Sequence, residues 1–378
     1  MDPRTSLRFV IPQLQYSLGM RILVNASFDT RANAGISLYI HRLVPHLARL
    51  CDLSILTPDP QLFGPCGRTI QISESVRFPI RRTLWVLTRL RAYCQDDCDM
   101  LLCLTPAVPV PAALPTIAVV HDLTPLKIRR LNPVKGKLAF WAGLQSLRFA
   151  DRAVTDSCHT RDDLVSTRIL PVERTAVAFC GPGVEPSLEQ TDYARQFTPF
   201  VLCVGSLAPH KNLVRLISSF ARLRAEPDLK LILVGAGSEE QVQRLERAVA
   251  ANHLQPRVVM LTALSDPQLS SLYRHCRVMV CPSVYEGFGL PVLEAMLHGA
   301  PVACSSVSSL PEVAGGAALL FNPFSARDIG DKLQTLLDSP GLSARLGELG
   351  HERAAGFTWE RTARTLYECA AGLVCLPI

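Results

Sequence analysis

Apolar residues occur along the chain in short blocks, separated by longer stretches where they recur every three or four positions. In the first half the blocks at 22–25, 53–57, 100–104 and 116–121 predict strands, and the periodic stretches near 35–50, 135–150 and 158–169 predict helices. The second half repeats the pattern, with strands predicted at 200–204, 229–234, 258–261, 278–281 and 301–304. Its first helix is the clearest, because Leu213, Leu216, Ile217, Phe220, Ala221 and Leu223 fall on one face. Alternation of this kind implies parallel sheets covered by helices, an α/β class in which ligands gather at the carboxyl ends of the strands.

The pattern breaks at the Gly/Pro cluster Cys180, Gly181, Pro182, Gly183, Val184, Glu185, Pro186, which a polar stretch follows. The break places a first domain at 20–185 and a second at 199–356, and the length of 378 residues suits two domains. Residues 1–19 lack a clean apolar block and a small-residue cleavage site, so they read as an extension of doubtful order and not as a secretory signal. The uncharged stretch 100–120 contains Pro106, Pro109, Pro111 and Pro115, which excludes a spanning helix and favours strand, loop, strand.

Composition narrows the class. Hydrophobic residues make up 48% and charged residues 19%, which argues for a folded protein and against disorder. The net charge of +6 lies wholly in the first half, where 22 Lys plus Arg meet 16 Asp plus Glu through residue 190, against 17 and 17 beyond it. Arg81, Arg82, Arg89 and Arg91 form one basic cluster, and Lys127, Arg129, Arg130, Lys135 and Lys137 another. They suit an anionic partner such as a membrane face or a diphosphate-linked acceptor, or else they are solvated helix faces. The 13 cysteines lie mostly inside apolar runs and read as buried free thiols in a reducing compartment. Cys94, Cys98 and Cys103 lack the paired spacing or neighbouring His of a zinc site.

Candidate chemistry collects after two strands of the second half. Following the block at 278–281, the chain turns on Gly287 and Gly289 and enters a helix near Leu290, with Pro291 in the first turn where a missing N–H costs nothing. Free amides at such a helix start favour an anion. Glu286 precedes the turn and Glu294 lies one helical turn in, so both carboxylates are expected to face one cleft at different depths and accept bonds from vicinal hydroxyls. Glu294 alone would read as a helix-start acid. After the block at 200–204, Gly205, Ser206, His210 and Lys211 lead into a helix, and Lys211 is placed either to meet a phosphate or to be a solvated cap.

These segments resemble the retaining glycosyltransferases of family 4. The spacing of Glu286 and Glu294 within EGFGLPVLEA is that family's signature, and further matches run through RILVNASF, GISLY, HDLTP, TDSCHT, Gly205 to Asn212 and PEVAG. The resemblance covers roughly residues 20–372 and implies the GT-B fold: two Rossmann-like doubly wound domains facing a cleft, the first binding the acceptor and the second the nucleotide-sugar donor. Residues 357–378 would form a C-terminal helix returning to the first domain. It implies that Glu294 holds the donor ribose, that Glu286 contacts the transferred sugar, and that the backbone of Gly287, Phe288, Gly289 and Leu290 lines sugar and diphosphate. Lys211 would neutralise the leaving diphosphate with help from amides near Gly35 and Ile36, and His121 would position the sugar at its anomeric carbon, although a lone His there could equally cap a strand.

The implied reaction retains anomeric configuration and needs no metal or other cofactor. The GISLY and HDLTP elements most resemble the mannosyltransferase branch of polysaccharide assembly, which points to a hexose such as mannose from GDP-mannose. The acceptor would be a glycan or a polyprenyl-diphosphate-linked sugar. Localisation would be cytoplasmic, with peripheral contact to the inner membrane face through the basic first half, and no nucleic acid is implied. Two departures concern charge: Ser206 and His210 stand where relatives carry Arg, which makes diphosphate neutralisation weaker or more pH-dependent, and Ser37 and Leu38 replace a small-then-basic pair near Gly35. The alternatives are a non-catalytic nucleotide-sugar-binding relative and a GT-B epimerase. A dehydrogenase is disfavoured, since Gly235-Ala-Gly237 lacks the third Gly and the downstream acid of the dinucleotide fingerprint.

Overall fold

A computed structural model describes residues 19–28, 34–73, 79–94, 97–128, 134–187, 191–224 and 227–374. The predicted extension at 1–19 falls almost entirely outside these residues, as do Arg129 and Arg130 of the second basic cluster.

Two parallel sheets organise the chain. The first contains β1 (Arg21–Asn25), β2 (Asp52–Thr57), β3 (Arg68–Gln71), β4 (Met100–Cys103), β5 (Thr116–Val120), β6 (Arg152–Thr155) and β7 (Thr175–Val177), in the order β3-β2-β1-β4-β5-β6-β7. The second contains β8 (Phe200–Val204), β9 (Lys230–Val234), β10 (Val258–Leu261), β11 (Val278–Cys281), β12 (Val302–Ser305) and β13 (Leu319–Phe321), in the order β10-β9-β8-β11-β12-β13. In each sheet the winding reverses beside the first strand, between β1 and β4 and between β8 and β11. The two loops that leave such a pair of strands diverge there and open a crevice at their carboxyl ends.

Helices cover both faces, so alternate residues of one strand serve different cores. Ile22 and Val24 face one hydrophobic cluster and Leu23 the other, while Leu202 and Cys203 divide in the same way in the second sheet. The largest cluster runs from the helix Ala34–Leu47, through the helix Trp359–Val374, to the helix Leu290–Leu297 of the second domain. Trp359 ties these parts together: its indole N–H donates to the Pro182 carbonyl at 2.8 Å, and its ring meets Tyr39 edge-on at 5.2 Å. Thr362 of the same helix donates to the Phe179 carbonyl at 2.6 Å. The final helix therefore crosses back onto the first domain, and the expected GT-B architecture is the one observed.

Several elements escaped the apolar pattern. Strands β3 and β7 are short, and no residue of either is fully buried, so they carry no apolar block. The helix Pro79–Thr88 begins Pro-Ile-Arg-Arg, a charged start that masks its apolar face. All 12 described cysteines are unpaired and most are buried.

Candidate active site

The loops leaving β8 and β11 meet at the second-domain crevice. After β8 the chain makes a single tight turn, Pro209–Lys211, and Asn212 then takes a left-handed conformation (φ 60°) before the helix Leu213–Phe220. Asn tolerates this backbone, and its side-chain amide donates to the carbonyls of Pro282 (3.0 Å) and Pro323 (2.7 Å), pinning the two crevice walls together. Lys211 is thereby aimed at the loop after β11. Its Nζ donates to Glu286 Oε1 at 2.6 Å, and Ser283 Oγ donates to the same oxygen at 2.6 Å. Both partners are largely buried, at 15% and 12% side-chain exposure, so their attraction is weakly screened.

Burial opposes charge on both groups, and the pairing overcomes it. The Glu286 carboxyl sits below its usual range and the Lys211 ammonium above its own. Between β8 and β11 lies a cavity of about 10 Å³, room for one water, lined by Gly205, Ser206, Lys211, Cys281 and Ser283 among others. The Glu286 loop is itself held by two serines far away in sequence. Ser308 Oγ donates to the Glu286 carbonyl (2.6 Å), and Ser309 Oγ donates to the carbonyls of Glu286 (3.0 Å) and Phe288 (2.7 Å). Gly289 is left-handed (φ 112°) and caps the helix Leu290–Leu297, with Pro291 in the first turn as the sequence suggested.

Glu294 does not share the cleft position of Glu286, contrary to the expectation that both carboxylates face it. Its Oε1 accepts from the amides of Gly183 (3.1 Å) and Val184 (3.2 Å) in the interdomain linker, and its Oε2 accepts from the Tyr273 hydroxyl at 2.6 Å. Burial lifts its carboxyl to about 7 against the lowering effect of those three bonds.

His121 also differs from expectation. At the end of β5 its Nδ1 faces Asp156 Oδ2 at 2.7 Å and its Nε2 the Leu104 carbonyl at 3.1 Å, so both nitrogens are engaged by acceptors of its own domain. Burial lowers its pKa, but Asp156 outweighs burial and the net direction is upward, in keeping with a ring that donates twice. It is the backbone of this residue that meets the second domain, because a Cβ at Gly287 would overlap the His121 carbonyl oxygen and lie 2.8 Å from Asp122 Cβ. Beside the His121 ring, Tyr39 Oη and Asp156 Oδ1 are buried without a hydrogen-bond partner among the described residues.

Burial, followed by the Lys211 charge, holds His210 down at about 4, so its ring is neutral at physiological pH, in line with the weaker neutralisation that is one of the two readings of this position. Ser206 is exposed at the mouth of the cavity, and Phe288 is buried against Phe179 and Phe357. Gly35 and Ile36 lie in the first turn of the helix Ala34–Leu47, whose amides have no partner within the helix. Of the first basic cluster, Arg82 is buried with its guanidinium 3.8 Å from the Phe28 ring centroid, and Lys127 of the second pairs with Asp163.

Further contacts draw the domains together beside Gly287. Glu312 of the second domain accepts from the amides of Cys158 and His159, both at 3.0 Å, at the start of the first-domain helix Cys158–Ser166. Thr160 Oγ1 donates to the Gly287 carbonyl at 3.1 Å, and the Tyr285 hydroxyl donates to Asp163 Oδ2 at 2.8 Å. Cys158, His159 and Thr160 lie in TDSCHT and Glu312 in PEVAG, segments that the resemblance matched without giving these residues a role.

A buried cation–carboxylate pair at the switch point of the second of two facing α/β domains is the arrangement against which known proteins can be compared. Residues 193–353 match the family described as Glycosyl transferases group 1. This match spans most of the second domain. It is 31% identical over 268 residues to a serotype-specific mannosyltransferase WbdA of Escherichia coli, covering 67% of this chain and 33% of that protein. It is 35% identical over 236 residues to the O-antigen chain mannosyltransferase B of Escherichia coli, covering 59% of this chain and 61% of that protein. The chain thus spans about a third of the length of the first of these relatives. Among solved structures, a sucrose-phosphate synthase from Thermosynechococcus elongatus superposes with a TM-score of 0.76 at 21% identity, covering 94% of this chain and 99% of that one, a likeness of fold.

Proposed function

We propose that this chain transfers a hexose, mannose by preference, from a nucleotide-diphosphate donor to a glycan or lipid-linked acceptor in polysaccharide assembly, with retention and without a metal. The single observation that carries the reading is the buried Lys211–Glu286 pair at the second-domain crevice. With donor bound, Lys211 and the amides at Gly289–Leu290 stand in for a divalent ion and take the charge that develops on the leaving diphosphate. Glu286 turns from Lys211 to the hydroxyls of the sugar. The two mannosyltransferase relatives support the choice of sugar. The test is transfer of mannose from GDP-mannose in the presence of EDTA. Wild-type turnover that vanishes in Glu286→Ala and Lys211→Ala is expected, and full activity in both variants would overturn the reading.

Peripheral attachment to the cytoplasmic face of a membrane belongs to the same proposal. No helix among the described residues is long and apolar enough to cross a bilayer. The helices Pro79–Thr88 and Val134–Ser146 pack side by side and expose Leu84 (56%), Leu138 (61%) and Trp141 (52%), with Arg89, Arg91 and Arg148 also at the surface of this domain. Apolar side chains with nearby cations suit an anionic lipid surface. Flotation with phosphatidylglycerol vesicles at low salt is expected to carry the protein upward, less so at high salt and less for Leu84→Ser with Leu138→Ser. Failure of the wild type to float would remove this part.

A further inference from the structure

One carboxylate at the centre of the cleft has no role in the proposed reaction. Asp122 follows His121 at the end of β5 and stands against Gly287, the residue after Glu286, with its Cβ 2.8 Å from where a side chain at 287 would begin. Its Oδ1 accepts from the Thr124 amide at 2.8 Å, a local turn that fixes the side chain. The Thr124 hydroxyl also reaches the carboxylate and the His121 ring lends it some favourable charge, but among the described residues no Lys or Arg pairs with it. The nearest charge across the cleft is that of Glu286, which bears the same sign.

Like charges that approach one another from separate domains repel unless something donates to both. Lys211 is committed to Glu286 from the far side. Burial, and in smaller measure the Glu286 charge, raises the Asp122 carboxyl above its usual range, with Thr124 opposing. The contact of Gly287 with the His121 carbonyl brings the loop of the second domain against a strand end of the first.

We propose that Asp122 Oδ2 accepts a hydrogen bond from a carbohydrate hydroxyl at the reacting centre, so that one sugar is bracketed by Asp122 of the first domain and Glu286 of the second. The bracket rests on the transferase reading. It makes the polyol the link that relieves the repulsion and draws the domains together over it. The hydroxyl belongs either to the transferred sugar or to the acceptor, and both offer the same O–H donor.

The experiment uses the full chain, GDP-mannose as donor and α-mannobiose as acceptor, and measures both transfer and the slower hydrolysis to free mannose. Asp122→Asn keeps an oxygen for the Thr124 amide, and Asp122→Ser keeps a single-oxygen cap, so both preserve the turn. Thermal stabilisation by GDP reports whether fold and nucleotide site survive. With that stabilisation unchanged, a fall of about ten- to a hundredfold is expected, the size of one lost hydrogen bond to a charged group. A fall in transfer alone, through a higher KM for mannobiose, assigns the hydroxyl to the acceptor. A parallel fall in transfer and hydrolysis assigns it to the transferred sugar. Unchanged rates in either variant, or loss of GDP stabilisation in step with activity, would overturn the role of Asp122. An inactive wild type would instead overturn the transferase reading beneath it.

Discussion

The ammonium of Lys211 and the carboxylate of Glu286 lie 2.6 Å apart in a largely buried crevice, although 75 residues separate them in the chain. Removing one partner leaves the other charged and unpaired, which typically costs about 3–5 kcal/mol. Lys211→Met and Glu286→Leu are each expected to lower stability by about this amount, while the double variant loses less than the sum. Chemical denaturation of the four proteins checks it. A strictly additive double variant would show that the pair is not coupled.

The same pair sets a pH plateau. Glu286 is depressed in the folded state, so its contribution is present above the unfolded carboxylate value of about 4.3 and is lost as pH falls through the lower folded value. Lys211 is raised, so its contribution is present below about 10.4 and is lost as pH rises through the higher folded value. Stability owed to this pair is therefore expected to be flat between these limits, while His210, held at about 4 in the fold against about 6.5 unfolded, adds a separate slope in which stability rises with pH from about 4 to about 6.5.

Glu294 is expected to behave in the opposite sense. Its carboxyl is raised to about 7, so its favourable contribution is complete below about 4.3 and fades as pH climbs through about 7. The wild type should lose stability across that window by a slope that Glu294→Gln removes, since an amide does not titrate. Urea midpoints at pH 5 and pH 8 provide the comparison. Equal pH dependence in both proteins would contradict the environment assigned to Glu294.

Gly287 marks where the domains touch. A methyl group at this position overlaps the His121 carbonyl, which is backbone and cannot swing aside. Gly287→Ala is expected to hold the cleft open and reduce transfer by at least about a hundredfold, the effect of misplacing groups by an ångström. On the proposed reading, which puts the nucleotide in the second domain, affinity for GDP measured by calorimetry should change little.

Glu312 and Tyr285 clasp the helix Cys158–Ser166 from the other domain. Glu312→Ala with Tyr285→Phe removes four hydrogen bonds, the fourth being the long one from the Leu123 amide to the Tyr285 hydroxyl at 3.4 Å, each contributing about 0.5–3 kcal/mol. Small-angle scattering should report a larger radius of gyration for the double variant without donor, narrowing when donor is added. An unchanged radius would mean that the clasp does not hold the domains together.

The periodic apolar pattern determined most of the fold, because burial on both faces of a parallel strand leaves a continuous block that sequence displays directly. It failed for β3 and β7, where partial burial removes the block, and also for β6 and β13, which are only four and three residues long. Local chemistry also fixed the Gly289 cap, the Pro291 start and the candidacy of Glu286 and Lys211, since each depends on residues near in the chain.

What a side chain faces was decided only by tertiary packing. Glu294 looked like a cleft carboxylate from its spacing to Glu286, yet the linker amides of Gly183 and Val184, over a hundred positions away, capture it. His121 looked like a group facing the cleft, yet Asp156 and Leu104, brought alongside by neighbouring strands, occupy both nitrogens. Ser308 and Ser309 had no local signal, and PEVAG marked Glu312 without showing its role, because their partners lie across a crevice or in the other domain. Periodicity records which surface is buried, a property each residue carries by itself. Hydrogen bonds and charge pairs depend on a second residue's position, and only the folded chain supplies it.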